Sequence, residues 1–349
     1  MNAPATLTSD DVKARAAAAG FDVCGVAPAE AFPELEFLQE WIARGYHGEM
    51  GYMARTAERR ADVRAVLPSA SAVIMLGTVY NTDRPYSTSF TDPSGAAIAR
   101  YAWGDDYHII IEDRMRALVA GLEEKAGPFQ YGAYVDTGPV QERVYAKYAG
   151  LGWIGKNTCL INRELGSWLF LSAIICDLPL SADMPALDHC GRCTLCIEAC
   201  PTGAITAPYQ LDSRRCLSYL TIENKGSIPE EYRGAVGAHA YGCDICQDVC
   251  PWNRKAPVTN DPHWQPRAGL DAATLLALWN RSDAELQALL KGSPMKRAGV
   301  RRFRRNLAVA IGNAGDPAAA DDLDRSDEET ARDALVREHV AWAVEKLRG

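Results

Sequence analysis

The segment Cys190-Gly-Arg-Cys193-Thr-Leu-Cys196-Ile-Glu-Ala-Cys200-Pro201 has the spacing C-x2-C-x2-C-x3-C-P. In this spacing the first three thiolates bind one four-iron cluster, and the fourth, which precedes a proline, reaches a second cluster. The segment therefore predicts a ferredoxin-like domain with two [4Fe-4S] clusters.

A second group of cysteines completes the two ligand sets. Cys243-Asp-Ile-Cys246-Gln-Asp-Val-Cys250-Pro251 reads C-x2-C-x3-C-P, and the position expected for its first cysteine is occupied by Ala240. The isolated Cys216 can supply the missing ligand. We predict that one cluster is bound by Cys190, Cys193, Cys196 and Cys250. The other is then bound by Cys200, Cys216, Cys243 and Cys246.

Two other uses of these cysteines are zinc sites and disulfides. Zinc motifs usually contain two C-x2-C pairs rather than three cysteines in a row followed by Cys-Pro. Disulfides are disfavoured because residues 1–6 lack the features of a secretory signal. Cys24, Cys159 and Cys176 lie in apolar surroundings and are expected to be buried as small hydrophobic residues.

Composition sets broad limits on the architecture and partners. The chain has 349 residues, of which 48% are hydrophobic, enough for two or three domains. A net charge of -8 does not favour general attraction to nucleic acid. No apolar run is long enough to cross a bilayer, so we expect no membrane partner and a cytoplasmic location.

The order of patterns predicts three domains. Helices alternate with strands over residues 1–180, which indicates an α/β catalytic domain. Residues 181–262 form the ferredoxin-like insert with the cluster ligands. Residues 263–349 are rich in alanine, leucine and arginine, lack strand signals, and predict α-helical, HEAT-like repeats.

Asp136 stands at a junction between two of these elements. A strand over residues 130–135 precedes it, and Thr137-Gly138-Pro139 opens a helix. This places Asp136 at the carboxyl end of a strand, where α/β folds bind ligands. The alternative is that Asp136 or Thr137 only satisfies the amides at the helix start.

The segment Gly150-Leu-Gly152-Trp-Ile-Gly155 matches G-x-G-x-x-G. A dinucleotide site needs a strand before this motif and a helix after it, and here the order is reversed. We therefore expect a turn in which the backbone closely approaches another group.

Two clusters carry electrons from an external donor of low potential. The chain could pass them to a partner as a relay, or use them in its own site as a reductase. Most of the chain lies outside the cluster domain, which favours the reductase. Clusters rarely reduce an organic substrate directly, so a further cofactor is expected.

Several segments beyond the cysteines carry a resemblance to one family. They are Met50–Arg55, Asp106–His108, Val135-Asp136, Ala149–Lys156, Cys190–Ile205, Arg215–Glu223, Tyr241–Cys243 and Cys250–Arg254. Through them nearly the whole chain resembles the epoxyqueuosine reductases, cobalamin-dependent iron–sulfur enzymes of queuosine biosynthesis in tRNA. Corrinoid reductive dehalogenases use similar cofactors but are typically exported.

The resemblance implies that epoxyqueuosine at the tRNA wobble position is deoxygenated to queuosine. Asp136 matches the family's proton donor, for which burial should raise the pKa. Asp106, Tyr107 and His108 match residues that orient the modified base, and Arg143 matches the pocket rim.

The resemblance also implies bound cobalamin. The matching cofactor contacts are Arg59, Tyr101, Asp136, Lys156, Asn157, Ser172 and Ser218. Asp106-Tyr107-His108 begins like the D-x-H-x-x-G signature of histidine-ligated corrinoids, but position 111 is Ile111. The family likewise binds cobalamin without a histidine below the cobalt. Ala99 stands where some members have a cysteine.

A basic segment is the expected contact for tRNA phosphates. Its cations are Lys296, Arg297, Arg301, Arg302, Arg304 and Arg305, with no acid among them. The alternative is a solvated helix face. A monomer is expected, and a reductase of small molecules with the same cofactors is the competing function.

Overall fold

A computed structural model describes residues 7–90, 92–324 and 333–349. Residues 1–6, on which the expectation of no export signal rests, lie outside them. The strands are β1 (Val23–Pro28), β2 (Ala72–Val79), β3 (Ala97–Ile98), β4 (Tyr131–Tyr134), β5 (Trp153–Ile154), β6 (Leu160–Ile161), β7 (Leu169–Cys176), β8 (Ile205–Ala207), β9 (Gln210–Leu211) and β10 (His239–Tyr241).

The helices lie between and after these strands, and the last five follow one another without an intervening strand in the described residues. They are α1 (Ser9–Ala18), α2 (Pro33–Ala43), α3 (Gly51–Arg55), α4 (Ala57–Ala61), α5 (Tyr107–Ala126), α6 (Glu142–Tyr148), α7 (Leu195–Glu198), α8 (Leu217–Ile222), α9 (Glu230–Val236), α10 (Ile245–Asp248), α11 (Leu275–Trp279), α12 (Asp283–Leu290), α13 (Gly299–Ala314), α14 (Ala319–Asp324) and α15 (Ala334–Arg348). None of the helices described is both long and apolar enough to cross a membrane.

The amino-terminal part is built on a four-stranded sheet with the order β1-β2-β7-β4. All three strand pairs are antiparallel. The prediction of mixed helix and sheet is confirmed, and the direction of the strands, which the sequence analysis does not give, is antiparallel. Alternation does not fix strand direction, because long connections such as residues 29–71 can return the chain to either end of the sheet.

The two central strands are buried on both faces, since helices cover each side of the sheet. Ile74 and Leu76 of β2 pack into a core with α1 and α5. Val73 and Met75, on the opposite face, pack with α2 and α6. The alternation of side chains along a strand produces these two cores. Asp136 follows β4 at one edge of this layered structure.

The carboxy-terminal helices share a core with the segment that leads into α5. β10 lies parallel to β3, and Ile98, Ala102 and Tyr241 belong to the same apolar cluster as Phe303 and Leu307 of α13. The helical part therefore packs directly against residues close to Asp106, which matters for the site described below.

The glycine motif forms the turn that the sequence predicts. β5 and β6 pair as an antiparallel hairpin immediately after Gly152. A Cβ atom at Gly152 would lie 2.2 Å from the carbonyl oxygen of Ile161, so only glycine fits there. The close backbone approach is confirmed, and α6 precedes the motif where a dinucleotide site would need a strand.

Two arginines of the basic segment are internal. Arg304 and Arg305 are 4% and 0% exposed, respectively. Arg304 donates to Asp283 and to carbonyl groups of the preceding helices. The prediction that Arg304 and Arg305 contact tRNA is wrong, because they lie on the face of α13 that packs against α8, α11 and α12.

Arg305 ties α13 to the segment after α8. Its guanidinium donates to the carbonyl oxygens of Leu220, Asn224 and Gly226, at 2.6–2.8 Å. Arg305→Met would leave these acceptors without a donor, and each buried unsatisfied group costs about 1–3 kcal/mol. We expect a loss of about 2–4 kcal/mol in the free energy of unfolding, measured with urea.

The matched control for this variant is Arg301→Met. Arg301 is exposed and pairs with Asp333 on the surface. Such pairs contribute about 0–1 kcal/mol, so this variant should unfold nearly as the unmodified protein does. Equal losses in the two variants would contradict a structural role for Arg305.

Candidate active site

Two cavities divide the eight motif cysteines. A cavity of about 330 Å³ is lined by Cys200, Cys216, Cys243 and Cys246. Its neighbour, of about 260 Å³, is lined by Cys190, Cys193, Cys196 and Cys250. These are the two sets expected from the crossed-ligand spacing. In the described residues no three His, Cys, Asp or Glu side chains are placed to hold a single ion, so the sulfurs surround each space instead of converging on one point.

The hairpin of β5 and β6 connects the two cavities. Asn157, in its turn, lines both and donates to the carbonyl oxygen of Cys246 at 3.2 Å. Lys156 donates to the carbonyl oxygens of Gly191 and Cys193, at 2.7 and 2.9 Å. Lys156 therefore stabilises the first cysteine loop. It lines the smaller cavity and not the larger one, where the cofactor contact was expected.

Cys159 lies closer to the site than its apolar sequence context predicts. It lines the larger cavity together with Cys246. Cys176, by contrast, is fully buried in the sheet, as predicted. Every cysteine is free in the structure, without a disulfide. Cys159 is therefore a fifth thiol in this cavity, beside the four motif cysteines.

The other residues expected at the cofactor are only partly brought together. Tyr101, Arg143 and Ser218 line the larger cavity with Asn157. Ser172 does not: Leu169 and Leu171 of β7 face this cavity, whereas Ser172 points to the opposite face because side chains alternate along a strand. The expected cofactor contact at Ser172 is wrong.

Arg59 lies outside this cavity as well. It is exposed on the short helix α4, and no side-chain partner is found for it within the described ranges. The structure therefore provides no contact that joins Arg59 to the cysteine-lined space.

Asp136 forms a compact group with two residues of α5. The hydroxyl of Tyr107 donates to Asp136 Oδ2 at 2.8 Å, and His108 Nε2 lies 3.7 Å from the same oxygen. Tyr107 stacks on His108 with ring centroids 4.1 Å apart. The Tyr101 ring lies 6.2 Å from that of Tyr107, which connects this group to the larger cavity.

The pKa of Asp136 reflects two opposing effects. Its side chain is 65% exposed, and partial loss of solvent raises its pKa. The nearby charge of His108 and the hydrogen bond from Tyr107 outweigh this effect, so the pKa falls below its ordinary value. The expected increase in the pKa of Asp136 concerns the complex with substrate and stays a prediction; without substrate the pKa is lowered.

His108 carries the proton in this group. Burial lowers the pKa of His108, but the hydrogen bond with Asp106 and the nearby Asp136 carboxylate raise it by more than burial lowers it. The resulting pKa is about 9. The distance from Nδ1 to Asp106 Oδ1 is 2.8 Å. His108 is therefore an imidazolium at neutral pH, with Nε2 directed toward Asp136.

Asp106 connects this group to the carboxy-terminal part of the chain. Its carboxylate is 1% exposed and accepts from His108 through one oxygen and from Lys296 through the other. Its backbone amide donates to the carbonyl oxygen of Gly292 at 2.9 Å. Lys296 and Gly292 were not expected at the active site, since the sequence gives no signal for a contact across nearly two hundred residues.

The remaining cations of the basic segment have local partners. Arg297 pairs with Glu223 at 2.5 Å and lies over the Tyr52 ring. Arg302 is partly buried and donates to carbonyl groups, including that of Ile222. Arg301 and Lys296 have the most exposed charges of the segment, with side chains 55% and 59% exposed.

Comparison with known proteins places the chain in a family. A family model described as "Epoxyqueuosine reductase QueG, DUF1730" matches residues 60–137, and one for a "4Fe-4S double cluster binding domain" matches residues 189–253. The epoxyqueuosine reductase of Xanthomonas campestris pv. campestris is 44% identical over 336 residues, which cover 95% of this chain and 94% of that protein. The chain belongs to the epoxyqueuosine reductase family. The Escherichia coli K12 member is 38% identical, over 93% of this chain and 86% of its own length.

Solved structures of the same family share this fold. The epoxyqueuosine reductase of Bacillus subtilis, with a catalytic aspartate loop swung out of its active site, superposes with a TM-score of 0.84 at 29% identity. The match covers 97% of this chain and 90% of that one. An epoxyqueuosine reductase bound to an epoxyqueuosine-modified tRNA-Tyr stem loop superposes with a TM-score of 0.79 at 27% identity, covering 97% and 98%.

Proposed function

We propose that this protein reduces epoxyqueuosine to queuosine in tRNA. The observation that carries the proposal is an acid group, Asp136 with His108, together with two adjoining cavities that each contain four of the motif cysteines. Cleavage of the epoxide oxygen consumes two electrons and two protons, and it releases one water molecule. The cysteine-lined cavities would hold the cofactors that deliver the electrons. The acid group would deliver the proton that the departing oxygen needs.

Two [4Fe-4S] clusters follow from the double-cluster domain over residues 189–253. We assign Cys190, Cys193, Cys196 and Cys250 to one and Cys200, Cys216, Cys243 and Cys246 to the other. Cys193 is exposed at the surface, so the first cluster is the one that an external low-potential donor would reach.

Cobalamin is the third cofactor of the proposal. The residues present fit it: Tyr101, Arg143 and Ser218 offer side-chain hydrogen-bond donors in the same cavity as four of the motif cysteines. When bound there, cobalamin supplies a strongly reducing cobalt centre. Tyr101, Arg143, Asn157 and Ser218 would hold it, and Tyr101 connects this space through the Tyr107 ring to Asp136.

Proton delivery is the part of the reaction that this chain performs with its own side chains. His108 holds a proton 3.7 Å from Asp136 Oδ2, and the Tyr107 hydroxyl fixes that oxygen. An alkoxide is a poor leaving group, so the departing oxygen must be protonated as its bond breaks. Asp136 receives a proton from His108 when substrate displaces water, and it passes the proton to this oxygen.

The remaining assignments complete the proposal. The catalytic, cluster and helical domains span residues 1–180, 181–262 and 263–349, and α11 to α15 form HEAT-like pairs. Lys296, Arg297, Arg301 and Arg302 contact tRNA phosphates, and Arg143 lies at the pocket rim. The protein acts as a cytoplasmic monomer.

Mass analysis of nucleosides from cells that lack the gene tests the function. We expect epoxyqueuosine to accumulate and queuosine to disappear, because the proposed reaction converts the first into the second. The unmodified gene should restore queuosine, whereas a copy with Asp136→Asn should not. Normal queuosine in the deletion strain would contradict the proposal and favour a reductase of small molecules.

A further inference from the structure

Lys296 is joined to the acid group although it lies in the carboxy-terminal part of the chain. Its ammonium binds Asp106 Oδ2, and Asp106 Oδ1 accepts from His108 Nδ1 at 2.8 Å. His108 Nε2 then faces Asp136 Oδ2 at 3.7 Å. Four side chains thus form a continuous line of alternating charge, from an exposed lysine to the proposed proton donor.

Asp106 is the fixed point of this line. Its carboxylate is 1% exposed, it caps α5 by accepting from the His108 amide at 3.3 Å, and its own amide donates to Gly292. A buried carboxylate needs cationic or hydrogen-bonding partners on both oxygens. Here one oxygen is bound by the histidine and the other by the lysine, so the two cations share one anion.

We propose that Lys296 is a positioning residue for proton delivery: by holding one oxygen of Asp106, it limits how strongly this carboxylate binds His108 and so how tightly His108 retains its proton. This inference rests on the function proposed above. It also gives the carboxy-terminal segment a direct connection to the chemistry, because Gly292 and Lys296 both contact Asp106.

The sign of the effect follows from the charges around His108. Asp136 and Asp106 favour its protonated form. Lys296 opposes that form by sharing Asp106, since it binds the other oxygen of the same carboxylate. Arg143 and Arg297 act on Asp136, as do Tyr52 and Glu142. Removing Lys296 leaves the carboxylate to His108 alone. The pKa of His108, about 9 in the unmodified protein, should then rise.

The experiment is a histidine NMR titration of the full-length holoprotein with Lys296→Met. The chain has six histidines, so the His108 signal can be assigned with the His108→Asn variant. We expect the pKa of His108 to rise by about 0.5–1 unit, a value reduced from that of a buried pair because the Lys296 ammonium is partly screened by solvent. Single-turnover rates should show the matching change, with their alkaline decline displaced to higher pH by the same amount.

Two further variants distinguish positioning from general damage. Lys296→Arg keeps the cation and should restore the pKa of His108. Lys291→Met is the matched control, because Lys291 is exposed and has no side-chain partner in the described parts of the chain. It should leave the titration unchanged.

An unchanged pKa of His108 in Lys296→Met would overturn the inference, as would an equal change in Lys291→Met. The titration needs no tRNA, so it separates the two proposals. A protein inactive on epoxyqueuosine could still show the shift, and an active protein could lack it.

Discussion

Asp136→Asn is expected to lower the single-turnover rate of epoxyqueuosine reduction by about 10²–10⁴-fold, the range that a positioned acid contributes. The amide keeps the size of the carboxylic acid, and it can still accept from the Tyr107 hydroxyl, now 2.8 Å from Asp136 Oδ2. It can neither receive a proton from His108 nor give one to the departing oxygen. The loss should therefore fall on the rate of the chemical step.

Asparagine is preferable to alanine at this position because of the backbone. Asp136 has φ of 58°, in the left-handed region that asparagine and aspartate tolerate better than alanine does. The rate loss in Asp136→Asn can then be assigned to the missing acid rather than to a displaced loop.

The control is Asp113→Asn on the exposed face of α5, where the carboxylate pairs only with Arg116 on the surface. It should react at the unmodified rate. Both variants should keep the iron content and absorbance of the unmodified protein. A single-turnover rate for Asp136→Asn within threefold of the unmodified one would remove Asp136 from its role.

The position of Asp136 could be predicted from the sequence, but its charge state could not. A strand followed by a helix places it at the edge of the sheet, and the structure has β4 there. The prediction that Thr137-Gly138-Pro139 opens the helix is wrong, because α6 begins at Glu142. The pKa of Asp136 depends on His108 and Tyr107, which come from a different element. The sequence shows that Tyr107 and His108 begin a helix. It does not show that they lie beside the loop that contains Asp136.

The basic segment shows a second limit of sequence reasoning. Counting charges predicts a surface, yet Arg304 and Arg305 lie inward and donate to carbonyl groups. The sequence contains part of the information. Phe303 and Leu307 are four residues apart, so they lie on one helical face, which is fully buried and is adjacent to position 304. The local pattern does not show which carbonyl groups accept from these guanidinium groups, because the acceptors come from other segments that pack against α13.

The cluster ligands were the most predictable feature, because their chemistry depends on local spacing. Cys216 is the exception, since it lies outside both motifs and was assigned only to complete a set of four. The structure brings it to the larger cavity, but Cys159 lines that cavity as well. Two thiols are therefore available for one position.

Cys216→Ala and Cys159→Ala decide between these two thiols. If Cys216 is the ligand, Cys216→Ala should lose the second cluster and about half of the iron and sulfide, and it should be inactive since electrons have no route to the site. Cys159→Ala should keep both clusters. The two variants remove the same group from the same cavity, so each is the control for the other.

Cys250→Ala tests the crossed arrangement in the same measurement. Cys250 belongs to the second sequence motif but lines the smaller cavity, together with Cys190, Cys193 and Cys196. We expect it to lose the first cluster, so that its remaining electron paramagnetic resonance signal differs from that of Cys216→Ala. Identical residual signals would refute the crossing, and loss of a cluster in Cys159→Ala with retention in Cys216→Ala would exchange their roles. The distinction matters physically, because a ligand exchanged between motifs holds both clusters in one folded unit, whereas two separate sets would let each half of the domain fold alone.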